Sequence, residues 1–434
     1  MDLNGLSADQ APPISAPIRF FLTAPIFGVI AGLLILLCDP QMLISRYSIE
    51  SIVITHAITI GFLGFVMLGA LTQMLPVLAG VKISKIDTVA KVAHIFLVFG
   101  TLFMIFGLLE DHSKLILASS VFLGIGFLAL IVPMLLALSK VVHVTASVRA
   151  MITSLVFAFL IVLMGMHLLA SYGTDKFSSL HVLLANVHSV WAIFGFAGVL
   201  IIGVSFHVLP MFYVAPRFKP FCKQKVVWLI SFGLLLWLVL NIFLESYSTV
   251  AKIWVALFFW AFATTVFLKL YRRRRPISDV TVWYWRTAAI FMTLGTFAWA
   301  INDYYDSRYI VIVSILIGGG FIFSIMSGML YKIVPFLVWF HLNAKGYMSI
   351  PTMNDMIDKR LAKTQFILFL ISLVGFVVSF FIPSILPIFA ITFIVSMLIL
   401  EYNVIAPVLI YRKIIKTKPE FDMSAFNISV EGIE

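Results

Sequence analysis

Three observations predict an all-α integral membrane protein: the apolar composition, the lengths of the apolar segments and the placement of the basic residues. Of the 434 residues, 62% are hydrophobic and 11% are charged, and the mean hydropathy is +1.10. A soluble chain carries roughly a quarter charged residues and has under half apolar ones. A folded soluble protein cannot cover that much apolar side chain, so the composition excludes soluble enzyme folds.

Apolar segments bounded by charges, prolines or polar clusters give about twelve transmembrane helices. A helix of about twenty residues spans the hydrocarbon of a bilayer, and the second, sixth and tenth segments are longer, which predicts tilt or an extension beyond the hydrocarbon. The predicted spans are residues 19–38, 52–80, 88–109, 115–138, 149–171, 180–213, 225–244, 250–271, 285–304, 309–341, 363–382 and 384–411. They form one polytopic domain, 19–412, between polar tails at 1–18 and 413–434.

The basic residues predict the orientation. When alternate loops are assigned to alternate sides, 25 of the 30 Lys and Arg residues fall on the side of the N-terminus and five fall opposite. By the positive-inside rule both termini are cytoplasmic, which fits a multi-pass protein of a bacterial inner membrane. The RRRRP run at 272–276 then faces anionic lipid headgroups. We expect the lipid bilayer as a partner and no nucleic acid.

Three long segments end alike, which predicts an internal repeat. They read ALTQMLPVL at 70–78, GVSFHVLPMF at 203–212 and GMLYKIVPFL at 328–337, and the prolines are 134 and 125 residues apart. Each interval contains four spans, so we expect three pseudo-repeated four-helix arcs with units near 19–140, 141–275 and 276–412. The alternative is that each proline simply stops a long helix at the cytoplasmic face.

Two of these segments also begin with a histidine. THAITIGFLGFVMLGALTQMLPVL (55–78) and HSVWAIFGFAGVLIIGVSFHVLPMFYVAP (188–216) each have an early His and a late Pro. With twelve spans in three arcs, they resemble the second and sixth helices of subunit I of the heme-copper oxidase superfamily, which includes nitric oxide reductases. The NnrS family, described as binding heme and copper, is similar in span count. The resemblance implies that His56 takes the place of a low-spin heme ligand and His188 that of a copper ligand.

Four histidines lie in the outer part of the predicted spans: His56, His167, His181 and His188. Imidazole is a common ligand of heme iron and of copper, so these four are the candidate cofactor ligands, with His188 and His181 as candidate copper ligands. Those two are seven residues apart, which is about 10.5 Å of helical rise and suits neighbouring sites rather than one ion. The alternative for each is a hydrogen bond to an adjacent helix.

The sequence departs from the oxidase pattern in the seventh and tenth spans. The seventh span contains no histidine, and residues 309–336 of the tenth span contain none either. Ser314 and Ile317 lie at roughly the depth where the oxidases have the heme ligands of the tenth helix. The usual oxygen-reducing centre is therefore not expected. Three possibilities stay open: one heme or one copper held by His56 and another outer histidine, or no metal at all.

Polar residues in the inner half are candidates for a proton path. Gln73, His207 and Lys332 each stand three residues before a repeat proline, so we expect them at the cytoplasmic mouth, either as a polar relay or as caps and interfacial anchors. Glu401 is the only carboxylate well inside a predicted span. An acid at that depth is paired, protonated or part of a proton path.

The resulting functional hypothesis is a heme-copper-oxidase-like metalloprotein that binds heme, with copper as a further possibility. It would act in respiratory electron transfer or in nitric oxide or metal handling, with a partner membrane subunit or a soluble electron carrier at the acidic outer loops. Whether it is an enzyme is left open. The alternative is a cofactor-free twelve-helix relative that serves as a transporter or as the membrane subunit of a complex.

Overall fold

The protein folds into long helices, with no strand among the residues that the structure describes. The computed structural model describes residues 12–274 and 278–421. Parts of both predicted tails, 1–11 and 422–434, and residues 275–277, which include the end of the RRRRP run, lie outside these ranges. The long helices are α1 Ser15–Leu37, α2 Ile49–Ala79, α3 Ile86–Leu109, α4 Ser113–Leu138, α5 Ala146–Thr174, α6 His181–Tyr213, α7 Pro220–Phe243, α8 Glu245–Tyr271, α9 Val280–Ile301, α10 Ser307–Asn343, α11 Lys359–Ser379 and α12 Pro383–Ile414.

Eleven of these helices are long and apolar enough to cross a membrane, as far as the described residues go. The protein is therefore a multi-pass membrane protein. The exception is α9, which corresponds to the predicted ninth span. It is a helix of 22 residues, but Arg286 and an aromatic run at 283–285 in its first half lower its hydropathy.

The helices pack in chain order, and the last one closes on the first. In α1, a Cβ added to Gly28 would lie 2.8 Å from the Sδ of Met397 in α12, so the Met397 side chain packs directly against the glycine. Between α4 and α5, Ser120 Oγ donates a hydrogen bond of 3.0 Å to the carbonyl of Met166. Between α8 and α9, Trp260 Nε1 donates one of 3.1 Å to a main-chain carbonyl. Each of these contacts joins two of the predicted four-helix units.

The long helices α2, α6 and α10 are the most enclosed of the spanning helices. The rings of Phe62 in α2 and Phe323 in α10 stack with centroids 4.0 Å apart. Each of the three contains a π-helical segment, and the segments are Thr59–Gly64, Trp191–Gly198 and Ile315–Phe323. Each segment ends twelve residues before the repeat proline of its helix. Inserted π turns occur frequently at functional sites.

The repeat prolines lie inside the helices. Helices α2 and α6 continue for three residues after Pro76 and Pro210, and α10 continues for eight after Pro335. Pro335 therefore does not mark the end of α10, whereas α2 and α6 do end within one turn of their prolines. Gly80 follows α2 with φ of 68° and donates its N–H to the carbonyl of Pro76, a left-handed cap that glycine adopts without strain.

Candidate functional site

Two of the four outer histidines face each other across the contact between α2 and α6. The imidazole rings of His56 and His188 have centroids 6.2 Å apart and planes inclined by 28°. Both residues stand three positions before the π segment of their helix. The two π-helical distortions therefore begin one turn inward of the paired rings.

The main chain fixes the orientation of both rings. His56 Nδ1 lies 2.7 Å from the carbonyl oxygen of Ile52, one turn earlier in α2. His188 Nδ1 lies 3.0 Å from the carbonyl oxygen of Ile161 in α5. A carbonyl only accepts, so each Nδ1 carries the proton and donates it, which leaves the lone pair of each neutral imidazole on Nε2. Metal-binding histidines typically donate their other ring N–H to such an acceptor.

The spacing of the rings fits one metal between them. A metal bound to two imidazoles at about 2.0 Å from each nitrogen holds the ring centroids about 6 Å apart, and the observed separation is 6.2 Å. Both rings are half-buried within the bundle. A Cβ on Gly165 of α5 would lie 3.0 Å from His188 Cε1, so this glycine makes room for the imidazole.

The number of protein ligands distinguishes heme from a bare metal ion. Among the described residues there is no group of three or more His, Cys, Asp or Glu side chains that could hold a metal ion. A bare copper or zinc site usually needs more than two protein ligands. Heme supplies four nitrogens of its own, so two axial imidazoles complete its coordination. Two imidazoles alone would therefore be enough protein ligands for a heme iron.

The third long helix has an aliphatic residue at the corresponding place. Three residues before the π segment of α10 stands Ile312, which differs from the depth estimate that gave Ser314 and Ile317. The three π segments have six, eight and nine residues. Because the π segments differ in length, residues of the three helices that lie before these segments do not correspond by a simple count back from the prolines. The apolar pattern of the sequence does not indicate the lengths.

The other two outer histidines lie apart from this pair. His181 is the first residue of the α-helical part of α6, and its ring packs edge-to-face on Phe177 at 4.9 Å and Tyr172 at 5.7 Å between centroids. His181 Nδ1 is buried without a hydrogen-bond partner among the described residues. His167, near the outer end of α5, is exposed. The observed geometry supports a cofactor site at His56 and His188. It gives no support for a cofactor site at His167 or His181.

The three polar residues before the prolines do not share one place. Gln73 and His207 line the same cavity between α2, α6 and α10. Lys332 Nζ instead binds Asp279, at the start of α9, with 2.6 Å between Nζ and Oδ2. Burial alone would raise the pKa of Asp279, but the charge and hydrogen bond of Lys332 hold that pKa below its ordinary value. The ion pair with the Asp279 carboxylate therefore explains why the Lys332 side chain points toward the start of α9.

The carboxylate of Glu401 is half-buried in α12, and its Oε2 is buried without a hydrogen-bond partner among the described residues. The side chains of Glu401, Gln73, His207 and Lys332 therefore do not form one connected relay in the described contacts. A proton role for Glu401 stays a prediction.

A buried polar network that the sequence did not reveal lies between α9, α10, α11 and α12. Gln365 Oε1 accepts hydrogen bonds from the hydroxyls of Tyr284 at 2.6 Å and Tyr331 at 3.0 Å. Its Nε2 donates to Ser396 Oγ at 2.9 Å. Gln365 and Ser396 are fully buried. The sequence signal that could have revealed this network is the amide of Gln365, which directly precedes the largely apolar segment FILFLISLVGF.

The fold defines a multi-pass helical membrane protein, and the paired imidazoles are its candidate functional site. No protein-family model matches the chain, and no curated protein matches it. The functional conclusion therefore rests on the geometry of the site, and the kinship with heme-copper oxidases stays a prediction.

Proposed function

We propose that the protein is a membrane hemoprotein in which His56 and His188 are the two axial ligands. The single observation that carries the proposal is the paired geometry, with centroids 6.2 Å apart and each Nδ1 engaged by a main-chain carbonyl. Bound heme iron supplies one-electron oxidation and reduction. With both His56 and His188 holding the iron, the heme would serve electron transfer rather than oxygen reduction.

The protein residues contribute position and electron density. The carbonyl of Ile52 holds His56 from within its own helix, while the carbonyl of Ile161 holds His188 from α5. These bonds fix the tautomer and raise the basicity of each Nε2. Because one acceptor belongs to another helix, the ring of His188 is oriented by the packing of α5 against α6 rather than by α6 alone.

We also propose the finer topology predicted from the sequence: twelve spans in three repeats, with both termini in the cytoplasm of a bacterial cell. The common spacing of twelve residues between π segment and proline supports the repeat, and the uneven distribution of basic residues supports the orientation. Cysteine labelling tests it. In a background with Cys38→Ala and Cys222→Ala, an impermeant maleimide should label Ser307→Cys in intact cells and Ser139→Cys only after lysis.

In that orientation His56 and His188 lie in the outer half. The electron donor would then be a soluble carrier or a membrane partner subunit that approaches the outer face. The kinship with the heme-copper oxidase superfamily belongs to the same proposal, and it is limited by the isoleucine at the corresponding position of α10.

The proposal is tested by visible spectroscopy of the detergent-purified protein, produced with added heme precursor. The wild type should show a Soret band that shifts on reduction with dithionite, and pyridine hemochromogen analysis should give one heme per chain. His56→Ala and His188→Ala should each remove the band. His207→Ala is the matched control, because His207 is exposed and lies in the inner half of the same helix as His188.

A colourless but folded wild type would refute the heme proposal and favour the cofactor-free alternative, a transporter or a complex subunit. Retention of the full spectrum in both single variants would refute the ligand assignment. In either case gel filtration and a thermal unfolding profile establish that the protein under study is folded.

A further inference from the structure

A basic cluster lies where α6 ends, α7 begins and α8 ends. Four of its residues come from the α6–α7 loop and the first two turns of α7, and two follow the end of α8. Five of the six side chains are exposed and one is half-buried. The residues of the basic cluster are Arg217, Lys219, Lys223, Lys225, Arg272 and Arg274.

Hydrogen bonds hold the two parts of the basic cluster side by side. In the last turn of α8, Lys269 Nζ donates to the carbonyl of Pro216 at 2.9 Å and to that of Arg217 at 2.8 Å. The main-chain N–H of Arg274 donates to the carbonyl of Val214 at 3.2 Å. The α6–α7 loop is therefore fixed against the end of α8, and the cations of both segments share one surface.

No acidic residue of the neighbouring helices balances these charges. The chain from 112 to 278 contains only two carboxylates, Asp175 and Glu245. Asp175 follows α5 and Glu245 begins α8, so both stand at the opposite ends of these helices. The next carboxylate along the chain, Asp279, is bound by Lys332. Within residues 12–274 and 278–421, none of the six cations forms an ion pair.

The α10–α11 loop, on the same side of the bundle, shows a different arrangement. Its basic residues stand among acids: Asp355 and Asp358 lie in the loop, and Glu420 accepts a hydrogen bond of 2.9 Å from the N–H of Ser349. Basic residues that mark the orientation of a membrane protein can therefore lie beside carboxylates. The positive-inside rule by itself does not explain a cluster that has none.

The basic cluster also borders side chains that face the lipid. Phe221 is 60% exposed and Tyr271 is 76% exposed, and Trp228, two turns further along α7, is 56% exposed. Aromatic rings of this kind sit at the headgroup level of a bilayer. A phospholipid presents a negative phosphate next to apolar chains, which matches cations next to exposed apolar rings. A nucleic acid or an acidic protein would match only the cations.

We propose that the basic cluster is a binding site for an anionic phospholipid. The phosphate is held by the cations of the α6–α7 loop and of the segment after α8, and the acyl chains lie along the exposed face of α7. Clusters of four to eight basic residues next to a transmembrane helix typically bind anionic lipids. Lys269 is a positioning residue, because it holds the loop against α8. The site is separate from the histidine pair and does not depend on heme binding.

The test is native mass spectrometry of the full-length purified protein, titrated with phosphatidylglycerol or with phosphatidylcholine of the same acyl chains. The wild type should bind the anionic lipid at least about tenfold more tightly, which corresponds to about 1.4 kcal/mol. The triple variant Arg217→Gln, Lys219→Gln, Arg272→Gln should lose most of this preference and keep its affinity for phosphatidylcholine. All three side chains are exposed, so the fold should be retained.

The matched control is the triple variant Lys359→Gln, Arg360→Gln, Lys363→Gln. It removes the same charge from exposed positions on the same side of the bundle, so its affinity for phosphatidylglycerol should stay close to that of the wild type. Thermal unfolding is a second measurement, since a lipid that binds the folded state raises the unfolding temperature. If the first triple variant does not fold, Arg272→Gln alone should weaken phosphatidylglycerol binding severalfold.

Three results would overturn the lipid proposal. The first is equal affinity of the wild type for the two lipids. The second is an equal loss of phosphatidylglycerol binding in both triple variants, which would mean that only the net charge matters. The third is an equal rise of the unfolding temperature with inorganic phosphate alone, which would assign the basic cluster to a free anion.

Discussion

The central helices α2 and α6 differ from the third central helix, α10, at one corresponding position. Three residues before the π segment, α2 and α6 have His56 and His188, and α10 has Ile312. At the inner half the contrast is reversed. Around α10, Tyr331 takes part in a buried hydrogen-bond network, whereas α2 and α6 contribute only apolar side chains to a cavity that they line together with α10.

This contrast shows that the same helix position can recur in all three helices while the type of residue at that position differs. The π segment and the proline recur in all three helices. The imidazole recurs in only two of them, so it is not required for these shared features. A residue that the scaffold does not require, held by bonds that fix its tautomer, is a candidate for function rather than for stability.

The largest effect on stability is expected from Gln365→Leu, which removes the centre of the network around α10. The hydroxyls of Tyr284 and Tyr331 would lose their shared acceptor. Leaving a buried polar group unpaired costs about 1–3 kcal/mol, so we expect a loss of about 3 kcal/mol or more. Thermal unfolding in detergent measures it. Gln224→Leu, at an exposed position of α7, should change little, and equal shifts in the two variants would contradict the network's importance.

A smaller loss is expected from Lys332→Met, which leaves the carboxylate of Asp279 without its cation. The Lys332 side chain is 10% exposed and that of Asp279 is 32% exposed, so solvent reduces the cost of a fully buried unpaired charge to about 2 kcal/mol. Adding Asp279→Asn should recover part of the loss. If the double variant is no more stable than Lys332→Met, the ion pair does not account for the effect.

The same pair predicts a dependence of stability on pH. Lys332 holds the folded-state pKa of Asp279 below its ordinary value of 3.8. The stabilisation is therefore fully present above the unfolded-state pKa and is lost as the pH falls through the lower, folded-state pKa. The unfolding temperature of the wild type should fall on acidification below about pH 4 more steeply than that of Lys332→Met with Asp279→Asn.

Gly165→Ala should weaken the cofactor site with little effect on the fold. The added Cβ would lie 3.0 Å from His188 Cε1, so the ring must shift by a few tenths of an ångström. We expect about tenfold weaker heme retention, equivalent to about 1.4 kcal/mol, measured as loss of the Soret band on challenge with apomyoglobin. Gly318→Ala is the control, since an added Cβ there meets no atom within 4 Å. Equal retention in both variants would show that Gly165 does not position His188.

The smallest effect is expected from Ile312→Ala, at the position in α10 that corresponds to the two histidines. Ile312 is half-buried, so truncation should cost about 1 kcal/mol and leave the visible spectrum unchanged. A spectrum altered as strongly as that of His56→Ala would mean that α10 forms part of the heme site, and the contrast between α10 and the other two helices would fail.

Much of the fold could be predicted because a bilayer imposes a minimum length on each span. The predicted segments agree with the long helices to within a few residues at most of their ends, and eleven of these helices qualify as spanning among the described residues. The exception is instructive: α9 contains Arg286 and several aromatic residues, and its place in the bundle comes from contacts with α8 and α10 rather than from its own hydropathy.

Less of the candidate site could be predicted, because the faces of α2, α6 and α10 do not follow one helical period. Each π segment inserts residues that rotate everything outward of it relative to the proline. Counting inward from the histidines, Pro76 is 20 residues from His56 and Pro210 is 22 from His188. The sequence therefore named four outer histidines as candidates without indicating which two would meet.

By itself, the sequence determined that the protein lies in a membrane and where its helices run, and it predicted which histidines lie in the outer half. Composition and segment length carry that information because the cost of exposing a polar backbone to lipid is local and strict. The tertiary structure decided that His56 meets His188 and that Lys332 pairs with Asp279. These pairings depend on helix rotation and on π insertions, which shift the facing residues without changing the apolar content of a span.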